Sequence, residues 1–177
     1  MERFGFHRVL GERPSTPQAA EELSVALPAR DSELVLDVEL LNLDSTSAAQ
    51  LHGESEARGV PMAELIRNLV AKRGKQHNPV TNSGGVLMGR VRWCGPKRKQ
   101  QLPLGALVVP LCSLTAIPLA LESIARIAGH QVFCKGTAVL YESLVVAEIS
   151  AEHSRRFGLE AILAAIDVSR LVPQLRR

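Results

Sequence analysis

The sequence predicts a mixed α/β, β-rich fold, a compact barrel-like domain with a few flanking helices. Short apolar runs bounded by Gly, Pro, Asn and Ser recur along the chain, the pattern of a strand-rich barrel. One run, residues 33–42, alternates acidic and aliphatic side chains with the period of a strand. Helical spacing is confined to three stretches, which begin near residues 45, 61 and 155. With 177 residues and 46% hydrophobic content, the chain is long enough for one domain with a substantial core and too short for two of ordinary size.

In order, the weak alternation of residues 4–10 predicts a short edge strand, and the prolines and polar residues of 11–28 mark a connection. In residues 33–42 the acids at 33, 37 and 39 share one parity and Leu34, Leu36, Val38 and Leu40 the other, so one face meets water and one the core. Asp44 or Ser45 then caps a helix running through residues 48–51. Capping alone accounts for these polar side chains, and a strand that delivers polar residues to a helix start is equally a way to build a site; both readings stand. The next helix starts at Pro61, carries Met62, Leu65, Ile66, Leu69 and Val70 at helical spacing, and ends with Lys72-Arg73 and Gly74. A strand follows over residues 86–93, closed by the Gly95-Pro96 turn. The apolar run 102–121 predicts two more strands, and residues 131–134, 137–141 and 144–148 predict further short ones. A last helix begins at Arg155 or Arg156, with Leu159, Ile162, Leu163 and Ile166 along one face.

The net charge is +3 and the pI about 9.0, but acids and bases are mixed along the chain, which leaves no extended footprint for nucleic acid. Lys97-Arg98-Lys99, the one dense cluster, reads as a solvated turn. Cys94, Cys112 and Cys134 are odd in number and form no Cys-x-x-Cys pair, against both a disulfide framework and a thiolate zinc site. Each reads as a small buried hydrophobe in a reducing cytoplasm, and the N-terminus lacks the order of a secretory signal. Residues 102–121 are uncharged and match a bilayer span of about 20 residues. Pro103, Pro110 and Pro118 would break such a helix, so no membrane partner is expected. The five histidines, His7, His52, His77, His130 and His153, lack metal-ligand spacing. Gly84, Gly85 and Gly89 precede a strand, whereas a dinucleotide fingerprint follows one. Ser83, His77 and Asp44 supply the residue types of a hydrolytic triad, but no nucleophile elbow surrounds the serine.

Residues 75–91 stand out, because a polar, turn-forming run passes directly into a strand. Asn78-Pro79 and Asn82-Ser83-Gly84-Gly85 tolerate turns and positive φ, while Val86-Leu87-Met88 and Val91 suit a pleated surface. The ordinary reading is a loop before a strand; the alternative is a polar cleft at the mouth of a β-structure.

The order Lys72-Arg73-Gly74-Lys75-Gln76-His77-Asn78-Pro79-Val80-Thr81-Asn82-Ser83-Gly84-Gly85-Val86-Leu87-Met88-Gly89-Arg90-Val91 resembles the corresponding segment of the L-erythro-3,5-diaminohexanoate dehydrogenases, the amine dehydrogenases of lysine fermentation. Phe6-His7-Arg8-Val9, Leu41-Asn42-Leu43-Asp44-Ser45 and Leu163-Ala164-Ala165-Ile166-Asp167-Val168 agree in order, so the similarity spans residues 5–168. That family resembles the medium-chain dehydrogenase/reductase superfamily, whose chains pair an N-terminal GroES-like β-barrel with a C-terminal Rossmann domain. The resemblance therefore implies a GroES-like, partly open β-barrel over residues 1–155 and, over 156–177, the start of a helix leading into a Rossmann domain absent from this chain.

Zinc alcohol dehydrogenases of the superfamily place a cysteine after the first long strand and Gly-His-Glu before the next. Asp44 and Gly84-Gly85-Val86 stand at those positions here, so the resemblance implies no catalytic zinc. Thr46 matches the superfamily hydroxyl two residues beyond the cysteine, the expected proton relay. Asp44 is the expected partner of a cationic substrate amine, with Ser45, Asn78, Thr81, Asn82 and Ser83 binding and orienting substrate and water. Gly105-Ala106-Leu107 departs from the usual Gly-Asp and basic residue. The implied reaction is NAD-dependent oxidative deamination of a small amino-acid-like substrate, a 3,5-diamino acid, in lysine degradation. NAD is then expected to bind a missing or separately encoded Rossmann domain rather than this chain alone, which would be inactive by itself. The alternative is a free-standing GroES-like module that binds a ligand or a protein. The apolar face of the last helix, which the missing domain would leave uncovered, predicts self-association, as a homo-oligomer, or poor solubility.

Overall fold

A computed structural model describes residues 2–11, 15–78, 83–150 and 152. The alternating run becomes strand β3 (Leu34–Asn42), one of the two central strands of a six-stranded sheet. A short pair, β1 (Val9–Leu10) and β2 (Glu22–Leu23), precedes it. After β3 come α1 (Ser45–Arg58), α2 (Met62–Arg73), β4 (Val86–Cys94), β5 (Leu107–Pro110), β6 (Leu119–Ala128), β7 (Gln131–Leu140) and β8 (Val146–Glu148). The sheet order is β6-β7-β3-β4-β5-β8, and every neighbouring pair is antiparallel. Among the described residues β6 and β8 end the sheet without pairing to each other, so the β-rich expectation holds while the sheet is open rather than a closed barrel.

Both helices are built as their sequences dictate. Asp44 is the N-cap of α1, and Gly59 ends it in the left-handed region at φ 64. Pro61 precedes the first turn of α2, and Gly74 closes it at φ 61, where a Cβ would overlap the Leu23 carbonyl. The α2 face of Leu65, Ile66 and Val70 is buried in the main core with Leu34, Leu36 and Leu87. A second, smaller core of Leu40, Val86, Met88, Leu107 and Val109 lies apart from it.

Several expectations are corrected. Residues 4–10 are not one strand: 3-10 turns occupy Glu2–Phe4 and Phe6–Arg8, and only Val9–Leu10 pairs. Gly5, at φ 77 against the Tyr141 ring, forces the bend between the turns. Strict parity along β3 also fails. Register shifts between Val38 and Leu40 in both of its pairings mark a bulge at Glu39, so Leu40 joins the second core while Leu41 and Leu43 return to the first. Glu33 does not meet water. It is fully buried, accepting from Arg8 Nε at 2.8 Å and Arg8 Nη2 at 2.5 Å, with His7 Nε2 at 2.8 Å. Burial pushes its carboxyl up, but hydrogen bonds from Arg8, the Arg30 amide and His7 together hold it below its ordinary value.

The Lys97-Arg98-Lys99 turn is only partly solvated, because Arg98 is 2% exposed and donates to the carbonyls of Leu140 (3.3 Å), Tyr141 (3.2 Å) and Leu144 (2.6 Å). The run 102–121 gives β5, a 3-10 turn at Leu114–Ala116 and the start of β6, which continues to Ala128 through mostly exposed residues. Its apolar signal stops where its exposure begins, which hid the strand's length. The stretches expected as separate strands at 131–134 and 137–141 form the single strand β7. Cys134 is buried and Cys94 and Cys112 half-buried, all free; burial pushes the Cys112 and Cys134 thiols up to about 12. Among the described residues no helix is long and apolar enough to cross a membrane. The helix expected over 156–177 lies outside the described residues.

Candidate functional site at the β3–α1 junction

Three segments, two of them neighbours in sequence, meet near the end of β3. The first is Asn42 to Ser47. The Leu43 amide donates to the His130 carbonyl at 2.9 Å, which aims the chain into α1. Asp44 Oδ1 then accepts from the Ser47 amide at 2.9 Å and Oδ2 from the Ser47 hydroxyl at 2.6 Å. The capping reading of Asp44 is thus realised, with the carboxylate half-buried and Ser45 and Thr46 exposed beside it on the first turn.

The second segment is Ser83 to Gly85. Gly85 has φ 95; a Cβ there would overlap the Asn42 carbonyl oxygen and lie 2.9 Å from the Asp44 amide nitrogen. Only a glycine lets β4 begin so close to the junction, and this backbone leaves no room for a side-chain metal ligand at position 85. The Gly85 carbonyl accepts from Leu114 at 2.9 Å, while Gly84 would bring a Cβ within 2.7 Å of the Gln76 carbonyl.

The third segment is Lys75 to Asn78, all buried. Asn78 bridges to Ser83, its amide donating to the Ser83 carbonyl at 2.8 Å. Lys75 is fully buried, and its ammonium donates to the carbonyls of Pro17 (2.9 Å), Gln18 (3.0 Å) and Thr115 (3.0 Å). Burial and the neighbouring Arg73 pull its pKa down to about 8, against which the three carbonyls favour the charged form. Its part is to tie the segment to two loops. Arg73 donates to His77 Nδ1 at 2.8 Å.

Beside these segments a cleft of about 400 Å³ opens between α1 and α2, bounded by Ser47 and Leu51 on one side, Asn68 and Lys72 on the other, and Gln76 to Asn78 within. The structure therefore brings Asp44, Ser45 and Thr46 to the strand end against which Gly85 packs, and links Asn78 to Ser83. Thr81 and Asn82 lie outside the described residues. Sequence reasoning missed Ser47, which holds Asp44, and Gln76, which lies buried in the cleft wall. A buried role for Gln76 was signalled only by its place between a helix cap and a turn. No group of three or more His, Cys, Asp or Glu side chains placed to hold a metal occurs among the described residues.

An open antiparallel sheet with a polar strand-to-helix junction defines a β-rich domain of the kind that presents a cleft at a strand end, distinct from a parallel nucleotide-binding sheet. The family of L-erythro-3,5-diaminohexanoate dehydrogenase N-terminal domains matches residues 7–150, and the chain belongs to that family. Over 171 residues it is 34% identical to the L-erythro-3,5-diaminohexanoate dehydrogenase of Acetoanaerobium sticklandii, covering 94% of this chain and 48% of the relative. The Fusobacterium nucleatum enzyme of the same name is also 34% identical, with the same coverage. The chain thus spans about half the length of the curated relatives it matches.

Proposed function

We propose that this chain is the substrate-side domain of an NAD-dependent amine dehydrogenase that oxidatively deaminates a 3,5-diamino acid in lysine degradation. The observation that carries the reading is the family match over residues 7–150, combined with the close approach of Gly85, at the start of β4, to the Asn42–Asp44 junction. The open sheet is read as part of a GroES-like barrel. Asp44 holds the substrate ammonium, Thr46 passes a proton between amine and solvent, and Ser45, Asn78 and Ser83, with Thr81 and Asn82, orient the substrate and the attacking water.

NAD does not fit the described residues. The six-stranded sheet is antiparallel throughout, and the turn from β3 into α1, Asn42-Leu43-Asp44-Ser45, has no glycine to admit a pyrophosphate. The cofactor is assigned to a nucleotide-binding domain beyond these residues, whether on a longer protein or on a partner chain, and the present chain alone is inactive. The glycine pressed on the junction supports a pocket without the zinc ligand of the alcohol dehydrogenases at that position. Mixing this chain with the C-terminal half of the Acetoanaerobium sticklandii relative tests the proposal. NAD reduction that needs both pieces and 3,5-diaminohexanoate is expected; NAD reduction by this chain alone contradicts it.

A further inference from the structure

The α1–α2 cleft is more polar than the packing of two helices requires. Gln76, in its wall, is 0% exposed, and both the NH2 and the C=O of its carboxamide reach no hydrogen-bond partner among the described residues. A buried amide left in this state is costly and rare in folded proteins, and a ligand that supplies the missing partners relieves that cost. A carboxamide offers a donor and an acceptor side by side, so its complement offers an acceptor and a donor side by side. The head group of a β-amino acid does so, because its carboxylate accepts and its ammonium donates. The cleft also carries both charges. Lys72 on α2 and Glu54 on α1 both line it. Glu54 is paired with Arg58 at 2.5 Å in an exposed contact of the kind that exchanges partners at little cost. Leu51 and Leu69 give apolar wall for an aliphatic chain, and a volume of about 400 Å³ is within the range of small-molecule sites.

We infer that the α1–α2 cleft binds the head group of a β-amino acid, with Gln76 reading the carboxylate and ammonium together once its side chain turns into the cleft. The ligand class rests on the proposed amino-acid substrate; the place and the recognition rest on Gln76 and the charges around it. Ser47 connects the two sites, since it lines the cleft and donates to Asp44.

Calorimetry on the 177-residue chain tests the inference with 3-aminobutanoate, butanoate and 2-aminobutane. Saturable binding of 3-aminobutanoate is expected, with the two single-charge analogues at least about tenfold weaker. Gln76→Met, which keeps size and burial but removes both polar groups, should weaken 3-aminobutanoate at least about tenfold with an unchanged circular dichroism spectrum. Lys72→Gln changes an exposed residue, so it decides the matter if the first variant fails to fold; a severalfold loss confined to carboxylate-bearing ligands is expected. No saturation by about 10 mM, equal binding of butanoate, or full affinity in a folded variant overturns the inference. Binding is read here without turnover. A chain that binds 3-aminobutanoate while the reconstituted enzyme fails to deaminate refutes the catalytic proposal alone, and deamination without this binding refutes the cleft alone.

Discussion

Replacing Gly85 by alanine probes how tightly β4 is pressed against the start of α1. Two costs combine. A non-glycine residue at φ 95 carries about 1–2 kcal/mol of backbone strain. The new methyl would overlap the Asn42 carbonyl oxygen and sit 2.9 Å from both the Asn42 carbonyl carbon and the Asp44 amide nitrogen, all backbone atoms that cannot rotate aside. Displacing them adds about 1–3 kcal/mol, the range of overpacking in well-packed interiors. The control is Gly59→Ala at the end of α1, where φ is 64 but nothing lies within 4 Å, so only the strain of about 1–2 kcal/mol applies. Urea denaturation of the two variants should therefore place Gly85→Ala below Gly59→Ala by about 1–3 kcal/mol, and melting should follow by about 2–4 °C per kcal/mol. Equal losses would show that the close approach of Gly85 to the junction is not a feature of the folded protein.

Other substitutions test neighbouring parts of the account. Arg98→Met removes the donor to the carbonyls of Leu140, Tyr141 and Leu144, of which Tyr141 keeps the Leu144 amide, and should cost about 1–3 kcal/mol in chemical denaturation, against near-neutral effects for Lys99→Met on the exposed side of the same turn. Glu33 has a folded pKa below the ordinary 4.5, so its contribution to stability is complete above that value and disappears as pH falls through the lower folded one. Glu33→Gln should accordingly lower stability at neutral pH and flatten the acid limb of a stability-versus-pH curve. Asp44→Ala removes the acceptor of the Ser47 amide and should cost about 1 kcal/mol in thermal melting, whereas Asp44→Asn, which retains a capping oxygen, should cost only a few tenths.

Much of this arrangement was legible where local chemistry decides the outcome. Pro61, the helical spacing of Leu65, Ile66 and Val70, and Gly74 fixed α2 to within a residue, and Asp44 was recognisable as a cap from its place after an alternating strand. Long-range pairing was not legible. Glu33 matches the water-facing parity of its strand, yet Arg8, 25 residues earlier, draws it into the interior. Arg98 belongs to a run of three cations and is buried because three carbonyls around residues 140–144 face it. The β3 bulge is set by both neighbouring strands at once, and no periodicity along β3 announces it. At the candidate site the polar residue types were visible, but their grouping depended on the contact of Gly85 with Asn42 across more than 40 positions. Gln76 was hidden for the same reason, since the cleft it borders is walled by residues of both α1 and α2.

The central claim is that Asp44 serves substrate chemistry as well as capping α1, and Asp44→Asn separates the two roles because asparagine caps as well as aspartate but carries no charge. The decisive measurement is kcat/KM for NAD-dependent oxidation of 3,5-diaminohexanoate by the assembled enzyme carrying this substitution. A fall of about 100-fold or more with a melting temperature lowered by no more than about 1–2 °C is the predicted result. Unchanged kcat/KM would leave Asp44 a helix cap alone and contradict the account.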